Sequence, residues 1–140
     1  MVVDLMSEIM TYTKKMFDPL HPNAELIDIE DIAHALSMLC RANGHFKSFY
    51  SVAQHSINCM REAAARGYTR RVQLACLLHD ASEAYMMDLP KPIKDNLLPQ
   101  YRVYESAMLD CIYRKFLGRT LTEEEAELVA LVDHDLLMYD

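Results

Sequence analysis

Residues 77 to 94 read LLHDASEAYMMDLPKPIK, an apolar run that closes on His79-Asp80 and is followed by Glu83, Asp88, Lys91 and Lys94. An adjacent imidazole and carboxylate are divalent-metal ligands in type, though neighbours on a helix point about 100° apart and share an ion only near a helix end. Glu83 stands three and four residues on, one turn along the same predicted helix. A carboxylate in that position is what a general base or a water-orienting group requires. Asp88 falls just past the predicted helix, and Pro90 and Pro92 stiffen a turn-like link with no room for a helix. That rigidity would hold Asp88 and Lys94 at the mouth of a site. The plainer reading of the stretch is a core histidine beside a capping aspartate, followed by a solvated loop. For Lys91 that reading is preferred.

The His-Asp pair alone is weak. Six histidines and 11 aspartates among 140 residues give about 0.5 such pairs by chance, and the chain has two, at 79–80 and 134–135. At most one is expected to matter. Two further segments add metal-competent side chains in apolar settings: His55, and an aspartate of ALVDHDLLMYD, either Asp133 or Asp135. Two imidazoles and two carboxylates suit Mn, Co, Fe, Ni or Zn, with Mg as a further option and Ca less suited. Such an ion can polarise a phosphoryl oxygen and bring the pKa of a coordinated water toward neutrality.

The elements that must position these groups are helical. Asp28 is a predicted N-cap, with Ile32, Leu36, Leu39 and Cys40 on one face and Gly44 as the predicted stop. Ser51 with Gln54 opens a helix through Val52, His55, Cys59 and Ala63. Thr69 caps a third through Val72, Ala75, Cys76, Leu78 and His79; residues 100 to 117 form another, closed by Gly118. Thr122 with Glu125 opens the last. Residues 11–27 read as an irregular N-terminal arm, and nothing reads as a β-hairpin. His34, on the apolar side of its helix, reads as a hydrogen-bonded core residue. The expected fold is all-α, one compact helical domain over residues 1–140.

Composition narrows the function classes. A hydrophobic content of 51% is enough for a real core, while a net charge of −7 argues against a nucleic-acid partner. It leaves room for a small anionic ligand, since a metal and two or three cations can reverse the potential inside one cleft. No apolar stretch is long enough for a bilayer, and no leader pattern opens the chain, so a cytoplasmic location is expected. Cys40, Cys59, Cys76 and Cys111 form no C-x-x-C pair and read as buried reduced thiols rather than disulfides or a thiolate metal site. Apolar residues left exposed on several helices point to a homo-oligomer.

Taken together, YSVAQHS around His55, LLHDASEAYMMDLPKPIK and LVDHDLL resemble the HD-domain metal-dependent phosphohydrolases. The nearest likeness is to the bacterial 5′-deoxynucleotidase-like branch and its phage-borne dATP triphosphohydrolase relatives. Residues 29 to 56 resemble the stretch leading into that branch's first metal histidine. The resemblance implies an HD-type helical fold and a metal-dependent hydrolase of (deoxy)nucleotides. It also implies His55, His79, Asp80 and Asp133 as ligands of one divalent metal. The aspartate is Asp133 because the family's pattern places two apolar residues, here Leu136 and Leu137, three and four positions after it. The same transfer makes Glu83 the carboxylate that positions the attacking water and Asp88 one that contacts the sugar or assists proton transfer. It makes Arg41 a phosphate-binding guanidinium and Lys94 a second phosphate contact. The rival reading of Arg41 is a cation favoured by a helix C-terminus. The chain departs from the branch at Ala42, where an aromatic is usual, and at Asp140, where relatives often carry glutamate. An alternative of another class is a nucleotide-binding or regulatory module of the same fold without turnover.

Overall fold

The computed structural model describes residues 7–137. In chain order its helices are α1 (Ile29–Met38), α2 (Val52–Ala65), α3 (Arg70–Leu78), α4 (Glu83–Met86), α5 (Lys91–Leu97), α6 (Pro99–Leu117) and α7 (Glu123–Asp135). Four start where the sequence placed a cap. Asp28, Ser51, Thr69 and Thr122 each accept from a first-turn backbone N–H, and Thr122 with Glu125 completes the reciprocal box. Gly118, at φ 86°, ends α6 by donating its N–H to the Arg114 carbonyl at 3.1 Å. A side chain would strain that left-handed turn. The fold is all-α apart from one short strand pair, and no helix among the described residues is long and apolar enough to cross a membrane.

The helix α3 lies at the centre and packs against α2, α6 and α7. Its Val72, Ala75, Cys76 and Leu78 join Val52, Cys59 and Ala63 of α2, Met108 and Ile112 of α6, and Val129 and Val132 of α7 in one core. Removing this apolar surface from water is the main favourable term in folding. It also fixes the mutual positions of the three helices whose polar residues concern us.

The sequence reading fails in several places, each for a local reason. Residues 11–27 are not wholly irregular: Ile9–Met10 pairs antiparallel with Met16–Phe17, a hairpin that two-residue strands could not announce. It is anchored by Thr13, which donates its N–H and Oγ1 to the buried Asp31 at 2.7 and 3.0 Å, and by Phe17, which stacks on Tyr85 at 4.2 Å. Lys115 ties the following segment to α6 by donating to the Ala24 and Ile27 carbonyls. The Pro90–Pro92 link does admit a helix, because Pro92 sits in the first turn of α5, where a missing N–H costs nothing. Gly44 does not end α1. That helix stops at Met38 because the chain pairs elsewhere: Cys40 bridges Ser51, the Arg41 N–H donates to Tyr50 O at 2.7 Å, and that of Val52 to Leu39 O at 2.9 Å. Ala42, Asn43 and Gly44 then turn with φ of 55°, 53° and 81°. His34 is exposed and stacks on Tyr12 at 3.8 Å rather than entering the core. Cys40 is exposed and Cys111 half-buried, so only Cys59 and Cys76 fit the buried-thiol expectation. Asp140 lies outside the described residues.

Candidate metal centre

Three helices deliver the candidate ligands. His55 stands in the first turn of α2 on its buried face and is fully enclosed. His79 is the C-terminal cap of α3, and Asp80 follows it where the chain leaves helical geometry. That break permits adjacent residues to face one point, which two consecutive positions inside a helix could not do. Asp133 comes from the last turns of α7.

Their donor atoms converge. His55 Nε2 lies 2.8 Å from Asp133 Oδ1 and 3.6 Å from Asp80 Oδ2; His79 Nε2 lies 3.2 Å from each of the same two oxygens. Ligands sharing one ion through bonds of about 2.0–2.2 Å stand about 3.0–3.5 Å apart, and the observed 2.8–3.6 Å brackets that range, so small shifts would let the four take one divalent cation. The other nitrogen of His79, Nδ1, is 2.6 Å from the Cys76 carbonyl, the outer contact that fixes a metal-binding imidazole and leaves Nε2 for the ion. Burial opposes charge on His79, but the carboxylates of Asp80 and Asp133 outweigh it and hold the imidazole well above its ordinary pKa. Burial likewise opposes Asp133, yet hydrogen bonding with both histidines keeps it well below the usual carboxylate range.

All the remaining site residues named from the sequence line one cleft of about 670 Å³: Arg41, Glu83, Asp88 and Lys94, with His79, Asp80 and Asp133 on the same wall set. His55 lies beneath it. Glu83 is buried, and burial, the charge of Asp80 and hydrogen bonding with Asp88 push its carboxyl up to about 11. Its Oε2 has no hydrogen-bond partner among the described residues. Glu83 does not continue the helix of His79, as the spacing had implied. It opens α4 after a tight turn in which its N–H donates to the Asp80 carbonyl at 3.0 Å. The next residue but three, Met87, takes φ 72°, and Tyr101 Oη donates to the carbonyls on either side of that kink, Met86 at 2.6 Å and Met87 at 3.0 Å. Asp88 is thereby turned into the cleft. Lys94 is buried and held by Glu105, Nζ to Oε2 at 3.2 Å. Lys91, set aside as solvated, is largely exposed and paired with Asp95.

Several contributors escaped the sequence. Arg102 and Glu105 of α6 line the cleft, joined at 3.3 Å, but on an amphipathic helix a charged pair reads as solvent-facing surface. Cys59 had a signal, its place four residues after His55. One donor atom each from His55, Cys59, His79 and Asp133 lie within 4.8 Å of one another. The second His-Asp pair, His134-Asp135, stays out: Asp135 binds Arg66 at 2.8 Å and His134 is exposed.

No family model matches the chain. It is 40% identical over 113 residues to the uncharacterized protein YfdR of Escherichia coli K12, covering 81% of this chain and 60% of that protein. It is 36% identical over 107 residues to an uncharacterized protein of Rhodobacter capsulatus, covering 73% of this chain and 54% of the relative. The chain thus spans less than two thirds of the length of these relatives. Both relatives are themselves uncharacterized, and the geometry gives a helical fold with a group of two histidines, an aspartate and a cysteine that could hold a metal ion.

Proposed function

We propose that the chain is a divalent-metal phosphohydrolase of the HD-domain type acting on a nucleotide, as a deoxynucleotidase or a deoxynucleoside triphosphate triphosphohydrolase. The observation that carries the reading is the convergence of the enclosed His55 with His79, Asp80 and Asp133, the last three lining a cleft that also holds Glu83, Asp88, Arg41 and Lys94. A divalent ion held there supplies polarisation of a phosphoryl oxygen and a water nucleophilic at neutral pH. The residues supply the rest.

Glu83 orients the attacking water and takes its proton. Burial is the largest cause of its raised pKa and the charge of Asp80 the next, so a cation on Asp80 would remove the second and lower the carboxyl part of the way toward the range of a general base. Asp88, hydrogen-bonded with Glu83, stands ready to pass a proton on toward the leaving group. Arg41 offers a guanidinium fork to phosphate, and Lys94 a point charge. Asp80, Asp88, Glu105 and Asp133 share the cleft's walls with Arg41, Lys91, Lys94 and Arg102, and a divalent ion held there would tip that balance toward an anion.

The test is a screen of purified protein with Mn, Co and Mg against nucleoside mono- and triphosphates, separating phosphate, pyrophosphate and triphosphate as products. Hydrolysis lost in Asp80→Ala supports the reading. No hydrolysis with any metal, or equal rates in the variant, overturns it. The regulatory alternative is separated by Glu83→Gln: a binding module is indifferent to it, a hydrolase is not.

A further inference from the structure

We propose that Cys59 is an additional, sulfur ligand of the metal, closing the interior side of the centre and biasing it toward zinc, cobalt, iron or nickel over magnesium. The inference rests on the metal reading of the site above, and adds the donor that sets which metal the site prefers.

The α2 helix brings His55 and Cys59 to the same face, four residues apart, and both are buried, at 0% and 1% exposure. The sulfur is 3.5 Å from His55 Nε2 and 3.8 Å from Nδ1, so it lies nearer the nitrogen that faces the carboxylates. A sulfur at about 2.3 Å and an imidazole nitrogen at about 2.0 Å from one ion would stand about 3.1–3.5 Å apart at the usual ligand angles. Cysteine 76 makes the contrast. It too is buried on a helix beside the site, but it meets His79 through its backbone carbonyl and not through sulfur. Helical spacing alone would bring Cys59 beside His55, and the packing of α3 and α7 adds His79 and Asp133 to the same 4.8 Å neighbourhood.

The donors are then graded by depth. His55 and Cys59 form a dry floor, whereas the side chains of Asp80 and Asp133 are 22% and 42% exposed toward the cleft. Soft thiolate selects zinc-like ions, and magnesium demands oxygen and retains water. On binding, the thiol releases its proton to solvent.

The experiment reconstitutes the metal-free protein with one equivalent of Co²⁺ and records the near-ultraviolet spectrum, with Cys59→Ser and Cys76→Ser in parallel. A sulfur-to-cobalt charge-transfer band in the wild type and in Cys76→Ser, absent in Cys59→Ser, is the expected result. Cys59→Ser should also narrow the preference for Zn²⁺ over Mg²⁺ by about 10- to 100-fold. Should that variant fail to fold, X-ray absorption on the wild-type zinc form decides, a sulfur scatterer at about 2.3 Å being expected. Cobalt bound one to one without the band, or a band surviving in Cys59→Ser, overturns the sulfur ligand and leaves the metal centre standing. No cobalt bound overturns both.

Discussion

His55 and Asp133 are 78 positions apart, and the Nε2 of one meets the Oδ1 of the other at 2.8 Å. The contact exists because α2 and α7 both pack on α3, so the core sets the distance between them. On the proposed metal centre Asp133→Ala removes both a ligand and the partner of the buried His55, and should abolish stoichiometric metal uptake by elemental analysis. Asp135→Ala removes a screened surface ion pair with Arg66 and should leave metal uptake unchanged. Loss of metal in the second variant and not the first would reverse the assignment of the two aspartates.

Glu83 is expected to show opposite effects on rate and stability. Its folded-state pKa of about 11 stands above the ordinary 4.5. The unfolded chain therefore ionises it first, and metal-free stability falls as pH rises from about 4.5 toward 11. Glu83→Gln imitates the protonated acid. It should abolish this group's share of that decline, leave metal content unchanged and lower turnover by about 100-fold or more. Denaturant titrations across pH, set beside product assays, check both halves.

Glu125 has the reverse sign. Burial resists its charge, but hydrogen bonds from Thr122 and Arg119 and the nearby Arg71 bring its pKa down to about 2. The stability this provides is complete above pH 4.5 and is lost as pH falls toward 2. Thr122→Ala should cost about 1 kcal/mol at neutral pH by uncapping α7, and should shift the acid transition upward as followed by circular dichroism.

Met87 pays a backbone cost at φ 72° and ψ 160°, a region suited to glycine. Strain of this kind is worth about 1–3 kcal/mol, partly offset by the flexibility glycine adds to the unfolded chain. Met87→Gly should raise stability by about 1 kcal/mol in chemical denaturation. It should also lower turnover, since a freer hinge no longer aims Asp88. A rise in turnover would show that the kink serves no positioning role.

Much of this was legible in the residues themselves. Caps at Asp28, Ser51, Thr69 and Thr122 carry their own hydrogen-bonding logic, so the helix starts could be read locally. The stretch from His79 to Lys94 announced itself because acids and lysines broke an apolar run. What stayed hidden was decided at long range. The stop of α1 depends on a pairing of Cys40 with Ser51 that no periodicity reveals, and the approach of Arg102 and Glu105 to the cleft depends on how α6 packs on α3. Cys59 read correctly as a buried thiol, and its approach to an imidazole showed only once His55 was placed beside it.

The pairing of residues 39–41 with 50–52 encloses a loop whose base is tied on both sides, and the rim residues Ala42, Asn43 and Phe46 belong to its tip. Exchanges at that tip leave the backbone of Arg41 and the start of α2, with His55, where they are. Under the proposed function, changes at that tip would alter which molecule the cleft admits while His55 and the residues that would seat the ion keep their places.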